Sequence, residues 1–319
     1  MRYLFQSHFA DDMRAYVKLR VHLGNKEDTY ARRLYSFDIF CMKHCPDTAV
    51  LTQTLAEAWC VLQPKEKVKT LQLRTTILRG FAKYLNSIGK HAYIIPDGFA
   101  GKAAPYVPYL YTSDELEKFF DGADRLPPHP LSPYREYIVP VLFRTLYCCG
   151  LRPQEVRLLK RKDFNPDEGT LYIADSKKNK DRIVAMSGDL RDLCVNYDTI
   201  MQSKLPGREF FFQDTNGRPF TAMWIQNQFY KCWKVAGTVF NQDHKPRVYC
   251  FRHNFATKVI TDWMCAGKDV TPLLPYLSTY MGHTSLEYTA YYIHLIPERF
   301  LSSGLTEWHC NQEAPAYED

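Results

Sequence analysis

The stretch GHTSLEYTAYYIHL, residues 282–295, places His283 shortly before three tyrosines, Tyr288, Tyr291 and Tyr292. A tyrosine hydroxyl can act as a nucleophile, but a phenol with a pKa of about 10 is protonated at neutral pH and needs a cationic pocket that favours its anion. Most tyrosines in helices instead pack their rings and hydrogen-bond their hydroxyls. The choice between these interpretations depends on the cations that the rest of the chain supplies.

The first candidate cation is Arg152, in CCGLRPQEVRLL. Pro153 suits the first position of a helix, and the residue before a proline avoids the α region, so we expect Arg152 at or just outside the helix start. An arginine there has no oxygen to cap the helix, and its charge opposes the positive end of the helix dipole. A phosphate bound above the helix start would explain why an arginine occupies this position. An ion pair between Arg152 and Glu155 at i,i+3 spacing explains it equally well.

Further cations crowd a predicted hairpin turn in TLYIADSKKNKDRIVAMSG: Lys177, Lys178, Lys180 and Arg182. A solvated turn is the common interpretation, although so many like charges favour a negative partner. Arg252 and His253 then open an amphipathic helix in YCFRHNFAT, directly after the basic stretch HKPR. Each of these signals is weak when it is taken alone.

The elements that must position these residues begin with a predicted helical bundle over residues 1–94. Its four amphipathic helices lie in HFADDMRAYVKLRVHL, DTYARRLYSFDIFCMKHC, LTQTLAEAWCVLQ and VKTLQLRTTILRGFAKYLNSIGK. We predict that Asp28 or Thr29 caps the second helix and that Gly89 ends the fourth. The fourth helix carries basic residues without acidic partners, either a solvated face or a set of phosphate contacts: Lys67, Lys69, Arg74 and Arg79.

The Pro- and Gly-rich residues 95–106 are typical of a linker. We predict a second domain over residues 107–300 and a tail over residues 301–319. Thr112 and Glu115 predict a capping box at its first helix. The hairpin follows, and then helices in LRDLCVNYDTIMQSK, AMWIQNQFYKCWKVAG, FRHNFATKVITDWMCAG and LEYTAYYIHL. The predicted fold class is mainly α with one small antiparallel β-sheet.

Composition limits the function only loosely. The 319 residues suit two domains, and 41 Lys and Arg against 35 Asp and Glu give a charge of +6, which permits nucleic-acid binding where it is clustered. The ten cysteines include no CxxC pair, and CMKHC lacks the second half of a zinc site, so we expect buried thiols and no metal. With no apolar signal segment and no run of about 18 apolar residues, we expect a cytoplasmic protein without membrane contact.

In their order and character these residues resemble the tyrosine recombinases, the phage integrase family. The strings that carry the resemblance are GLRPQEV, SKKNKDR, FRHNFAT and LPYLSTYMGHTS, followed by the tyrosine. The match spans roughly residues 107–296, and the preceding bundle is similar to the core-DNA-binding domain of that family. The resemblance implies a two-domain clamp around double-stranded DNA that breaks and rejoins strands without a cofactor. It also implies a monomer that forms a homotetramer on paired DNA sites, with accessory DNA-bending or element-encoded proteins as further partners.

The resemblance also implies a role for each site residue. Arg152 and Arg252 would clamp the non-bridging oxygens of the scissile phosphate. Lys177 would protonate the departing 5′-oxygen. His283 would hydrogen-bond the phosphate or help to position the nucleophile. Tyr292, nine residues after His283 and three after a threonine, would be that nucleophile.

The neighbours of these residues receive lesser roles. Glu155 would orient the guanidinium of Arg152. We expect Tyr291 to be the tyrosine most easily confused with the nucleophile and Tyr288 to pack. The other hairpin cations would contact backbone phosphates or only solvent: Lys178, Lys180 and Arg182.

Two positions depart from the family pattern. Tyr249 stands three residues before Arg252, where the family usually has a histidine; a phenol can donate a hydrogen bond to a phosphate but does not readily accept a proton near neutral pH. Thirty residues separate Arg252 from Gly282, more than is usual, and we expect the extra residues to lengthen a helix and a loop.

The resemblance favours a recombinase of a mobile element, acting in integration or transposition in the bacterial nucleoid. Alternatives are a chromosome-dimer resolvase of the same family, a non-catalytic DNA-binding protein whose site has decayed at Tyr249, and a type IB topoisomerase. Residues 296–319 are a candidate for a segment that docks on a neighbouring protomer.

Overall fold

The computed structural model describes residues 3–103, 107–174, 181–238, 240 and 245–302, with only the backbone of His294 and of residues 297–302. The chain divides into two compact units, residues 1–106 and residues 107–319. Both units are dominated by helices. The predicted class, mainly α with a small antiparallel sheet, is confirmed.

The N-terminal unit contains the four predicted helices: α1 (Ala10–His22), α2 (Glu27–His44), α3 (Gln53–Trp59) and α4 (Val68–Ser87). Its core is rich in buried aromatic rings, among them Phe9, Phe37 and Phe81. The predicted cap of α2 is wrong. The residue before α2 is Lys26, and Asp28 already lies in the first turn, where a carboxylate favours the helix dipole without capping an amide.

The predicted linker, residues 95–106, is held against α4 in its first part. Arg79 donates to the carbonyl oxygens of Ile95 and Pro96, at 2.6 Å each, and pairs with Asp97 at 2.7 Å. The Gln72 amide donates to the carbonyl of Gly101 at 2.7 Å. This segment therefore packs with the N-terminal unit.

The C-terminal unit contributes eight α-helices among its described residues: α5 (Ser113–Asp124), α6 (Arg135–Cys148), α7 (Pro153–Leu158), α8 (Gly188–Lys204), α9 (Ala222–Val235), α10 (Cys250–Cys265), α11 (Leu274–Met281) and α12 (Glu287–Ser302). The predicted capping box is confirmed, since the Thr112 hydroxyl accepts from the Glu115 amide and the Glu115 carboxylate accepts from the Thr112 amide. Pro140 lies inside α6, a buried helix that the periodicity did not predict.

The sheet has the order β1 (Phe164–Asn165), β2 (Thr170–Ile173) and β3 (Arg182–Ala185), and both pairings are antiparallel. The predicted hairpin corresponds to β2 and β3, with Ile173 opposite Arg182. The short strand β1 was not predicted. The hairpin turn, with Lys177, Lys178 and Lys180, lies outside the described residues.

Helix α10 connects two buried clusters of the C-terminal unit. Phe251, near its start, belongs to the larger cluster, which also contains Phe119 and Trp233. Ile260, two turns later, belongs to a second cluster with side chains of α11 and α12. Because both clusters anchor α10, the side chains of its first turn are held firmly. Within the described part of the chain, no helix has both the length and the apolar character needed to cross a membrane.

Candidate active site

Arg152 occupies the position directly before α7, with extended backbone angles of φ −71° and ψ 144°, as the following proline predicted. Its amide donates to Glu155 Oε2 at 2.8 Å, and its Nη1 donates to Glu155 Oε1 at 2.6 Å. Its Nη2 donates to the carbonyl oxygen of Gly282 at 2.6 Å. The i,i+3 ion pair therefore exists, and a second bond holds the guanidinium from the other side.

Arg252 is completely buried in the first turn of α10. Its Nη1 donates to the carbonyl of Gly150 at 2.7 Å and its Nη2 to the carbonyl of Met281 at 2.5 Å. Among the described residues it forms no ion pair, and its Nε has no hydrogen-bond partner. Burial lowers the pKa of Arg252, and the charge of Arg152 lowers it further. A buried cation with only carbonyl partners favours the entry of an anion.

Arg182 lies inside the site, against Glu155 and the end of α11, and its DNA contact stays a prediction. Its two Nη atoms donate to the two carboxylate oxygens of Glu155, each at 2.9 Å, and its Nε donates to the carbonyl of Tyr280 at 2.7 Å. Only 7% of the side chain is exposed. All three nitrogens of the guanidinium are thus hydrogen-bonded within the protein.

The carboxylate of Glu155 is shared between these two arginines. Burial raises the pKa of Glu155, but the hydrogen bond and charge of Arg182, together with the amide and charge of Arg152, leave it lower than usual. Glu155 therefore stays ionised at neutral pH. As the resemblance implied, its carboxylate contacts the guanidinium of Arg152.

The C-terminal end of α11 binds all of these arginines. Gly282 takes a left-handed conformation, with φ 65°, and the His283 amide closes the helix end on the Ser278 carbonyl at 2.9 Å. The last carbonyls of a helix lack partners within it and carry partial negative charge. Three consecutive carbonyls are bound here by guanidiniums: Tyr280 by Arg182, Met281 by Arg252 and Gly282 by Arg152.

His283 and Tyr292 lie side by side next to this helix end. Their rings are 6.0 Å apart between centroids and 22° from parallel. His283 Nδ1 is hydrogen-bonded to the hydroxyl of the buried Thr289 at 2.8 Å. Burial lowers the pKa of His283 to about 3, and the charges of Arg252, Arg152 and Arg182 contribute. The imidazole is therefore neutral in the protein without DNA.

Tyr292 is buried, with 3% of its surface exposed. Burial raises the pKa of Tyr292 to about 12, while the charges of Arg252 and Arg152 oppose that shift. The other two tyrosines of the stretch are more exposed. The expectation that Tyr288 packs is wrong, since 59% of its surface is exposed, and Tyr291 is 37% exposed.

His253 is a neighbour of Tyr292 to which the sequence assigned no role. Its ring centroid is 5.6 Å from that of Tyr292 and 5.2 Å from that of Tyr249. Burial lowers the pKa of His253 to about 4, with a smaller contribution from Arg252. The i,i+4 spacing of Tyr249 and His253 on one helix face is the signal that could have identified it.

The N-terminal basic residues divide into two groups. Lys67 and Lys69 are exposed at the start of α4, and their phosphate contact stays a prediction. Arg74 is bound within the unit, because its buried guanidinium pairs with both oxygens of Glu66 and donates to the carbonyls of Trp59 and Val61. Arg79 is likewise engaged within the unit, by the contacts to residues 95–97 described above.

No group of three or more metal-ligating side chains lies together in the described part of the chain. Cys41 and Cys45 of the CMKHC stretch are free thiols, and Cys41 is buried.

Residues 111–299 match the phage integrase family, and the chain belongs to that family, the tyrosine recombinases. "Putative integrase/recombinase y4rB" of Sinorhizobium fredii is 30% identical over 306 residues, covering 92% of this chain and 94% of that protein. "Tyrosine recombinase XerC" of Bradyrhizobium diazoefficiens is 28% identical over 157 residues, covering 49% and 45% of the two chains.

Solved structures share the fold. The XerH site-specific recombinase bound to a palindromic difH substrate, in a post-cleavage complex, superimposes with a TM-score of 0.67 at 22% identity, over 88% of this chain and 79% of that one. The Tn1549 transposon integrase in complex with a circular intermediate DNA gives a TM-score of 0.62 at 15% identity, over 88% and 94%.

Proposed function

We propose that the chain is a site-specific DNA recombinase of a mobile element that cleaves and rejoins DNA through a 3′-phosphotyrosyl intermediate. One observation carries the proposal. The buried Tyr292 contacts the rings of His283 and His253 and lies within the fields of Arg252 and Arg152, two arginines held by backbone carbonyls at one helix end. A phenol surrounded in this way suits attack on a phosphodiester.

The reaction is a transesterification. The Tyr292 oxygen attacks the phosphorus and loses its proton, the bond from phosphorus to the 5′-oxygen breaks, and Lys177 supplies a proton to that oxygen. The 5′-hydroxyl of a partner strand then reverses the step and releases the tyrosine. One phosphodiester is exchanged for another, so the bond energy is conserved in the protein–DNA link. Arg152 and Arg252 stabilise the charge that develops on the non-bridging oxygens.

Tyr249 and the neutral histidines determine how the phenol proton leaves. His283 and His253 are both uncharged near neutral pH, so each can accept a proton once the phosphate offsets the arginine charge. Tyr249 is 42% exposed at the start of α10, and in the proposed complex its hydroxyl would donate a hydrogen bond to the scissile phosphate. This assignment makes cleavage compatible with a tyrosine where the family usually has a histidine.

The setting that we propose is integration or transposition by homotetramers on paired double-stranded sites. The relation to y4rB, and a fold shared with a transposon integrase, support it. A resolvase of the family is the second candidate, supported by the relation to XerC. Exchange between two element ends distinguishes the first role, and resolution of chromosomal repeats distinguishes the second.

Covalent trapping tests the chemistry. Wild type, Tyr292→Phe and the control Tyr291→Phe are incubated with nicked duplex fragments from the ends of the DNA element that carries the gene. We expect an SDS-resistant adduct with wild type and with Tyr291→Phe, and none with Tyr292→Phe. An adduct lost only in Tyr291→Phe would reassign the nucleophile. Tight binding without any adduct would favour the non-catalytic DNA-binding function.

A further inference from the structure

We propose that Arg182 is a third arginine of the active site, a positioning residue that holds the Glu155 carboxylate so that Arg152 stays available to the scissile phosphate. The proposal rests on the proposed recombinase function and adds a residue to it. It concerns an arginine from β3, outside the helices that carry Arg152, Arg252 and the tyrosine.

The hydrogen bonds around Glu155 show why its carboxylate needs two arginines. Oε1 accepts from Arg152 Nη1 at 2.6 Å and from Arg182 Nη1 at 2.9 Å. Oε2 accepts from the Arg152 amide at 2.8 Å and from Arg182 Nη2 at 2.9 Å. Arg182 therefore makes the two-pronged contact, while the Arg152 guanidinium uses only one of its nitrogens on the carboxylate. A two-pronged arginine–carboxylate pair is the stronger and more directional of the two arrangements.

The charge balance of the pocket follows from this sharing. The side chain of Glu155 is 5% exposed and that of Arg182 is 7% exposed, so their pairing neutralises both charges inside the protein. Arg152 and Arg252 then keep their positive charge for an incoming phosphate. Without Arg182, the buried carboxylate would have Arg152 as its remaining cation among these residues. The two-pronged geometry would then turn Arg152 toward Glu155 and away from the phosphate.

Arg182 also ties the sheet to the helix end beside His283. Its Nε donates to the Tyr280 carbonyl at 2.7 Å, and the Tyr280 hydroxyl donates back to the Ala185 carbonyl of β3 at 2.9 Å. The side chain passes so close to Gly282 that a Cβ atom there would lie 3.0 Å from Arg182 Nη1. One side chain thus connects β3, the start of α7 and the end of α11.

Three variants and two substrates test this role. Cleavage by wild type, Arg182→Gln and Arg182→Lys is measured on a nicked duplex that wild type cleaves, with either the ordinary phosphate or a methylphosphonate at the cleavage position. Arg208→Gln is the matched control, because Arg208 is a buried arginine paired with a carboxylate, Asp198, outside the site. Thermal unfolding is recorded for each variant, and Arg182→Lys keeps the test open if Arg182→Gln does not fold.

We expect Arg182→Gln to cleave the phosphate substrate about 100-fold more slowly than wild type, as for a misplaced catalytic group. On the methylphosphonate the deficit should largely disappear, since a neutral centre does not need the charge of Arg152. Arg182→Lys, which keeps the charge without the fork, should show an intermediate deficit with the same recovery. Arg208→Gln should change the two rates in equal proportion.

Several results would overturn the assignment. Unchanged cleavage by Arg182→Gln, or equal losses on both substrates, would make Arg182 a residue of the fold alone. If Arg182→Gln lowered the slope of log binding constant against log salt concentration by about one, Arg182 would be a direct phosphate contact. Failure of the proposed function is distinguishable, because wild type itself would then form no adduct on either substrate, and the assignment would fail with it.

Discussion

The guanidinium of Arg152 donates a 2.6 Å hydrogen bond to the carbonyl oxygen of Gly282, the residue directly before His283. The two residues are 130 positions apart. This bond joins the start of α7 to the end of α11 and brings the first arginine of the site next to its histidine. The carbonyls at the end of α11 hold the three arginines in place, so we expect activity to depend on the geometry of this helix end.

Replacing Gly282 by alanine tests this dependence. Gly282 and Gly237 both have positive φ, 65° and 72°, but only at Gly282 would a Cβ atom meet another side chain, Arg182. Each alanine should cost about 1–2 kcal/mol of folding free energy through its backbone conformation. Only Gly282→Ala should slow cleavage strongly, by about 100-fold, because it displaces a neighbour of the phosphate clamp. Equal cleavage by the two variants would contradict the role of the helix end.

Tyr249→His should accelerate cleavage. The imidazole would be half-exposed at the start of α10 and could accept a proton near neutral pH, a contribution worth roughly 10- to 100-fold in rate. Tyr249→Phe keeps the ring contact with His253 and loses the hydroxyl, so it should cleave more slowly than wild type. The control is Tyr276→His, at a tyrosine that is 73% exposed in α11. Single-turnover adduct formation measures all three, and no gain in Tyr249→His would place proton acceptance elsewhere.

The basic residues of α4 should separate by function. Lys67→Ala and Lys69→Ala should each reduce the salt dependence of DNA binding, the slope of log binding constant against log salt concentration, by about one. Each variant removes one predicted phosphate contact and leaves the bundle unchanged. Arg74→Met should leave that dependence unchanged and lower the free energy of unfolding by about 3 kcal/mol, because it leaves the Glu66 carboxylate, whose side chain is only 11% exposed, without its cation. Fluorescence anisotropy at several salt concentrations and urea unfolding measure these effects. A salt effect from Arg74→Met would return it to the DNA contacts.

The protein should lose stability as the pH falls below neutrality. The pKa of His253 is about 4 and that of His283 about 3, both depressed from 6.5. Between 6.5 and these values the unfolded chain binds protons that the folded chain does not, so the stabilisation is complete above pH 6.5 and decreases as the pH falls. Each histidine contributes a slope of up to about 1.4 kcal/mol per pH unit.

Urea unfolding across this pH range measures the slope for wild type, His253→Gln and His283→Gln. Each replacement should remove one proton from the difference between the unfolded and folded states, so the stability of each variant should fall less steeply. Slopes identical to that of wild type would show that these imidazoles are protonated in the folded protein.

Sequence patterns predicted the features that depend on neighbours along the chain. The capping box of Thr112 and Glu115, the extended residue before Pro153, the four N-terminal helices and the β2–β3 hairpin all rest on interactions within a few residues. The same holds for the Arg152–Glu155 pair, whose members are one helical turn apart. The family resemblance supplied the predicted roles of the site residues.

Only the tertiary structure decided which cations are exposed and which are internal. Arg74 and Arg182 are arginines in basic stretches, as phosphate contacts often are, yet both are buried and paired with a carboxylate. Arg74 pairs with Glu66, 8 positions away, and Arg182 pairs with Glu155, 27 positions away. The tertiary structure likewise placed His253 beside Tyr292 and the carbonyls at the end of α11 beside the arginines. The physical reason is that a guanidinium binds the nearest oxygen in space, and packing, rather than local sequence, determines which oxygen that is.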